Sequence, residues 1–336
     1  MYLGQQTNTW RPLVKTTANL TDVQSLKSTF EFRTFDPEGV LFYGDNHSGE
    51  EWFVLALNGG VPEMQIVKVD ILVSVSGGPR LDDGLWHLMA ISTEGKFVLL
   101  EVDGSKALMV GLHSQMVEEF RPAMDGCVRG GRWLDLTTPW EMEEEGVALR
   151  PCWDRIQRGS YFPGSGFAVF NTSALNILDG EDGVKIRVEG ELAQMDGTVL
   201  SIRGGDQTLI LQVEITNSTQ TILVKFGSPE VTREYAVHKI KALELTIYQH
   251  SLLLWLGDPL GDPAVDSFPK INQNVGQNML SGGRLAIGGL LGEGEDAVGS
   301  NFLVGCLEKI SVHGKQLDLD LAAKDASISS YSCPVR

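Results

Sequence analysis

Two carboxylates separated by one proline, Asp36 and Glu38 within FEFRTFDPEGVLFYGD (30–45), are the sharpest candidate for chemistry in the chain. Pro37 restricts the backbone of a turn at a strand end, so both acids are held near one point. Hard cations such as calcium take clustered oxygen ligands of this kind. The same spacing also suits an ordinary polar turn, and spacing alone leaves both readings open. The acidic run 141–145 reads as a solvated loop. The six histidines, His47, His87, His113, His238, His250 and His313, show no H-E-x-x-H spacing. His87, in GLWHL, alternates with strand residues and reads as a solvated or packed strand position. There is no G-x-S-x-G elbow, P-loop or Rossmann fingerprint. The glycines of GGRLAIGGLLGEG (282–294) sit among strand residues, where turns and bulges account for them. With no catalytic constellation, the expected chemistry is binding and the protein is expected not to be an enzyme.

The elements that would position such residues are strands. EWFVLALN (51–58), KFVLLEVDG (96–104), TLILQVEI (208–215), QTILVKFG (220–227) and SLLLWLG (251–257) carry the period of two expected of strands. Gly, Asp, Asn and Pro segments between them read as turns. Helical period is scarce, with at most a turn or two over Met142–Leu149. Many short strands with regular turns predict an all-β antiparallel sandwich.

The two halves resemble each other. GVLFYGD at Gly39 precedes WFVLALN as GTVLSIRGGD at Gly197 precedes TLILQVE, an offset of 197 − 39 = 158 residues. DGC at Cys127 matches VGC at Cys306, an offset of 306 − 127 = 179. A duplicated module accounts for both, predicting an N-terminal segment 1–24, a first module 25–153 and a second 154–336. The first is shorter by 179 − 158 = 21 residues between these landmarks, and it has no counterpart of RLAIGGLL before DGC. A missing strand would expose a sheet edge or leave a core gap.

Composition narrows the partners. The 336 residues suffice for two cores. With 44 acidic against 27 basic side chains, the formal charge of −17 repels phosphate backbones and anionic lipid, so neither nucleic acid nor membrane insertion is expected. No apolar run approaches the ~20 residues that span a bilayer, and no signal peptide is visible. Four cysteines, Cys127, Cys152, Cys306 and Cys333, are spaced by 25 and 27 residues near the ends of the two halves, which predicts one disulfide per module. Zinc ligation would favour close C-x-x-C pairs, and the chain has none. Sequons at Asn19, Asn46, Asn171 and Asn217 fit an extracellular, glycosylated surface.

FEFRTFDPEGVLFYGD, GGPRLDDGLWH (77–87), FVLLEVDG (97–104) and DGC (125–127), followed by GGRLAIGGL and a terminal SCP, resemble the paired laminin-G-like modules of the sex hormone-binding globulin family. The likeness covers nearly the whole chain from about Ser25. It implies two tandem concanavalin-like jelly rolls and a secreted carrier of androgens and oestrogens, the steroid lying between the two sheets of the first module. A rigid apolar body with polar ends needs an apolar slot and a few placed polar groups. Ser28 matches the family serine that bonds one end of the steroid, and Phe53 matches an aromatic wall. Glu51 and Lys68 stand where the family has an aspartate and an asparagine, and Thr93 replaces a lining methionine. The shortened stretch between Gly104 and Cys127 removes segments that cover the pocket. For calcium, Asp36, Glu38 and the carbonyl of Ala123 match the family ligands. Val69 replaces a family histidine, so no zinc site is expected there. The resemblance further implies a homodimer through first-module edge strands, with Val69–Val75 the candidate and a buried strand the alternative. The competing reading is a laminin-G-like interaction module for receptor or matrix proteins.

Overall fold

The computed structural model describes residues 2–3, 14, 27–45, 48–68, 71–94, 97–110, 124–133, 139–140, 152–175, 183–257, 263–271, 274–275, 279, 282–292 and 299–335. The predicted segment 142–149 lies outside them, as do Asn19, Asn46, Val69 and Ala123. The chain forms two compact units, Met1–Arg158 with Pro334–Arg336, and Gly159–Cys333. The dividing point falls a few residues beyond the position expected from the repeat.

Among the described residues, the sandwich of the first unit is built from β1 (Lys27–Thr34), β2 (Gly39–Asp45), β3 (Trp52–Asn58), β4 (Val61–Lys68), β5 (Ile71–Ser76), β6 (His87–Glu94), β7 (Phe97–Val102), β8 (Ser105–Val110) and β9 (Gly126–Arg132). One sheet runs β8-β7-β6-β1-β9 and the other β2-β3-β4-β5, with antiparallel neighbours throughout. Alternation in β1 decides which face is inside: Ser28, Phe30 and Phe32 are buried, whereas Lys27, Thr29 and Glu31 between them are partly exposed. The register sets Ser28 opposite Ile91 and Phe30 opposite Met89, then Ile91 opposite Leu100 and Leu100 opposite Leu108. Facing this row, the second sheet contributes Phe42, Leu55, Leu57, Met64 and Val73 to the same core. Burying each such large side chain contributes roughly 1.5–3 kcal/mol.

The second unit repeats this plan and extends it. One sheet runs 264–267, 252–257, 242–247, 184–189, 309–312 and 315–316, and the other 231–236, 221–226, 209–216, 197–203, 284–287, 168–171 and 323–324. Strand 197–203 is the repeat of β2. It pairs with 209–216 on one side and with 284–287 on the other. Among the described residues of the first unit, β2 pairs only with β3 and ends its sheet. The missing counterpart of RLAIGGLL therefore falls at the outer edge of β2. Cys127 bridges Cys152 in the first unit, and Cys306 bridges Cys333 in the second.

Candidate functional site

Ser28 is fully buried on the inward face of β1, and its hydroxyl has no hydrogen-bond partner among the described residues. A buried unpaired hydroxyl costs about 1–3 kcal/mol, so folded proteins rarely keep one without a use. Two residues along the same face is Phe30, from which a chain of rings crosses to the other sheet. Phe30 stacks on Phe42 with centroids 6.3 Å apart, and Phe42 meets Phe53 at 5.5 Å. The Phe53 ring can lie over β2 because its cross-strand neighbour is Gly44, where a Cβ would come within 2.7 Å of Phe53 Cε1.

The other candidate residues distribute around this interior. Thr93 is partly exposed on β6, opposite Val98 and one inward position beyond Ile91. Glu51 immediately precedes β3 and Lys68 ends β4; since Trp52 pairs with Val67, both come to the same end of that sheet. The Lys68 side chain lies outside the described residues. Ser28 and Thr93 thus sit on one sheet, with Phe53, Glu51 and Lys68 on the other.

Trp133 and Trp140 were not anticipated. Beyond the outer edge of β9, Pro139 bridges to Arg132 and the Trp140 N–H donates to the Gly131 carbonyl at 2.9 Å. From there the Trp140 ring reaches Phe30 at 4.9 Å, Trp133 at 5.3 Å and Phe42 at 6.2 Å. Trp133 also meets Phe42 edge-on at 6.0 Å. These rings therefore span from β9 to β2, the end strands of the two sheets, on the side where the second unit has an additional strand. Gly131 makes the approach possible, since a Cβ there would stand 2.1 Å from Trp140 Cδ2. The glycine pair before Trp133 was the legible signal, because glycine inside a strand marks a close approach. The Trp140 indole N–H, like the Ser28 hydroxyl, is buried without a partner among the described residues.

The Asp36–Glu38 turn is tightly organised. Asp36 is buried; its Oδ1 accepts from the Glu38 N–H at 3.0 Å and its Oδ2 from the Asp125 N–H at 2.8 Å. Glu38 Oε1 accepts from the Gly59 N–H at 2.8 Å. Thr34 joins the same corner, its Oγ1 donating to the Asp125 carbonyl and accepting from the Asp36 N–H. The turn is thus drawn against Asp125, two residues from Ala123. Among the described residues, no three His, Cys, Asp or Glu side chains converge as a metal cluster.

His87 is a buried strand residue. Its Nδ1 is 2.8 Å from Asp103 Oδ2 and its Nε2 3.1 Å from Asp83 Oδ1. Burial acts to lower its pKa, but the hydrogen bonds and charges of Asp103 and Asp83 outweigh that, and the pKa is raised. Strand β5 closes its sheet as an edge strand, with Val73 buried and Leu72 and Val75 partly exposed. Asn171 and Asn217 are exposed, so both described sequons are accessible. No helix among the described residues is long and apolar enough to cross a membrane.

Residues 32–133 match the Laminin G domain family. Over 96% of its length the chain is 30% identical to sex hormone-binding globulin of Crocuta crocuta, covering 86% of that protein. The chain belongs to the sex hormone-binding globulin family. It is also 26% identical to growth arrest-specific protein 6 of Mus musculus, over 99% of the chain and 56% of that protein. The structure resembles domains LG4-5 of the mouse laminin alpha1 chain, with a TM-score of 0.65 at 18% identity, covering 94% of this chain and 90% of that one. That likeness establishes the fold, a tandem of laminin-G-like jelly rolls. Among the described residues, β2 has no strand beyond it as 197–203 has in the second unit, and Trp133 and Trp140 lie on that side.

Proposed function

We propose that the protein is an extracellular carrier of androgens and oestrogens, which bind between the sheets of the first module. The observation that carries this reading is the Ser28 hydroxyl: fully buried, without a partner among the described residues, and beside an aromatic and aliphatic interior. Placed there, it offers one end of a rigid apolar ligand the hydrogen bond that an otherwise greasy slot lacks. Phe53 forms part of the wall, Thr93 lies toward the Ser28 side, and Glu51 and Lys68 stand at the end of the other sheet. The disulfides and exposed sequons fit an oxidising, extracellular setting. We assign calcium a structural place at the turn. Asp36 and Glu38 supply hard oxygen donors, Ala123 the carbonyl, and the drawing of Asp125 onto Asp36 supports that grouping. The edge position of β5 supports pairing of two copies through the first module. The carrier reading involves no catalysis.

The test is retention of labelled testosterone or oestradiol by the purified full chain in a dextran-charcoal assay. Retention is expected, with Ser28→Ala weakening it about three- to tenfold, the value of one hydrogen bond. A wild-type chain that holds neither steroid ends this reading. The Trp133–Trp140–Phe30–Phe42 cluster, which fills one side of the sandwich, favours a second reading: an interaction module that docks a receptor or matrix protein. Capture of such a partner by a chain that retains no steroid would select it.

A further inference from the structure

Among the described residues, four buried side-chain polar atoms lack a partner: Ser28 Oγ, Arg33 Nε, Trp140 Nε1 and Arg284 Nε. Each of the two guanidiniums places its other nitrogens: Arg33 donates to the Trp153 and Asp154 carbonyls, and Arg284 to Gln207. Ser28 and Trp140 have no such outlet. Both also border the same ring. Ser28 precedes Phe30 by two residues on one strand face, which separates their Cα atoms by roughly 7 Å. The Trp140 ring lies 4.9 Å from the Phe30 ring. An indole N–H is a donor only, so the group that satisfies it must bring a lone pair. Its ring neighbours among the described residues, Phe30, Phe42 and Trp133, bring none.

We propose that Trp140 is a ligand-recognition residue of the first module, its indole N–H donating to an acceptor oxygen on the same rigid apolar ligand that Ser28 meets, with that oxygen seated at the edge of Phe30. The proposal rests on the carrier reading and names the chemistry of its site: a ketone or ether-like oxygen, which has lone pairs for both groups, is matched by two donors on either side of Phe30. It also gives the ring cluster a role. The side of the sandwich closed by Trp140 is where, among the described residues, a strand of the second module has no counterpart, so recognition there is supplied by a residue from beyond β9. The tether is main chain to main chain, from Trp140 N–H to the Gly131 carbonyl. This fixes where the indole enters while leaving the side chain to adjust around a ligand.

The test uses the full chain and three probes: labelled dihydrotestosterone, with unlabelled 5α-androstan-3-one and its oxygen-free parent 5α-androstane as competitors. Trp140→Phe keeps an aromatic ring and removes the donor. A second variant carrying benzothienylalanine at position 140 keeps the bicyclic shape and removes the N–H alone. Both variants should weaken binding of 5α-androstan-3-one about three- to tenfold and leave 5α-androstane within about twofold. Equal weakening of both competitors by the benzothienylalanine variant would mean that ring packing, not the donor, matters, and would overturn the proposal. So would unchanged affinity for the ketone in a wild-type background that binds it. Failure of the wild-type chain to retain any steroid removes the carrier reading and this proposal together. That outcome is distinct from retention without a donor effect, which removes this proposal alone.

Discussion

Gly131→Ala tests whether the aromatic side of the first module is built as described. A methyl at position 131 would stand 2.1, 2.3 and 2.6 Å from Cδ2, Cε3 and Cγ of Trp140, all inside contact distance of a rigid bicycle. The strand cannot retreat freely, because the Trp140 N–H is bonded to the Gly131 carbonyl at 2.9 Å. The ring must therefore leave its place, giving up contacts with Phe30, Trp133 and Phe42 at 4.9, 5.3 and 6.2 Å. Each aromatic pair is worth about 0.5–1.5 kcal/mol beyond its buried area, so the expected loss is about 2–4 kcal/mol. The substitution itself favours the strand, since glycine weakens strand interiors, but that gain is about 0.5–1 kcal/mol, leaving a net loss of roughly 1–3.5 kcal/mol. For a unit of this size, each kcal/mol moves Tm by roughly 2–4 °C, and a fall of roughly 2–14 °C follows. Circular dichroism melting of the full chain measures it, with tryptophan emission shifting to the red as the indole becomes wet. In a Trp140→Ala background the same glycine substitution should cost nothing and gain up to about 1 kcal/mol, because the clash has lost its second partner. A Gly131→Ala chain that melts with the wild type and keeps its emission would refute the placement of Trp140.

Two further predictions concern the polar corners of the same module. His87 is held above its ordinary pKa of 6.5 once the Asp103 and Asp83 contacts outweigh burial. Its contribution to stability is therefore full below about pH 6.5 and is lost as pH rises through the raised value. Burial acts to raise Asp103, but the hydrogen bonds from His87 and the Leu88 N–H hold it below 3.8, so its share is lost only as pH falls through the depressed value. Urea midpoints should decline from pH 6 to pH 8 in the wild type, and His87→Ala should flatten that slope; an identical slope in the variant would refute the linkage. Asp36→Ala strips acceptors from the Glu38 and Asp125 N–H groups, the second of them buried. At about 1–3 kcal/mol for a donor left unpaired in the interior, the variant should lose about 2–4 kcal/mol in urea unfolding, and a loss under about 0.5 kcal/mol would show that the turn does not depend on this carboxylate.

The sequence by itself determined the fold class, the doubling of the module and the strands on which candidate residues ride, because side-chain alternation and turn chemistry are local signals that survive without coordinates. Ser28 was legible only through the resemblance to a family, and the shortened first module by counting between repeats. Tertiary structure alone decided that the Ser28 hydroxyl is buried without a partner, that His87 is gripped by acids 4 and 16 residues away, and that Trp140 crosses Gly131 to reach Phe30. Each of these depends on which strands become neighbours. Such long-range pairings carry no local period, so they become visible only when both sheets are in place.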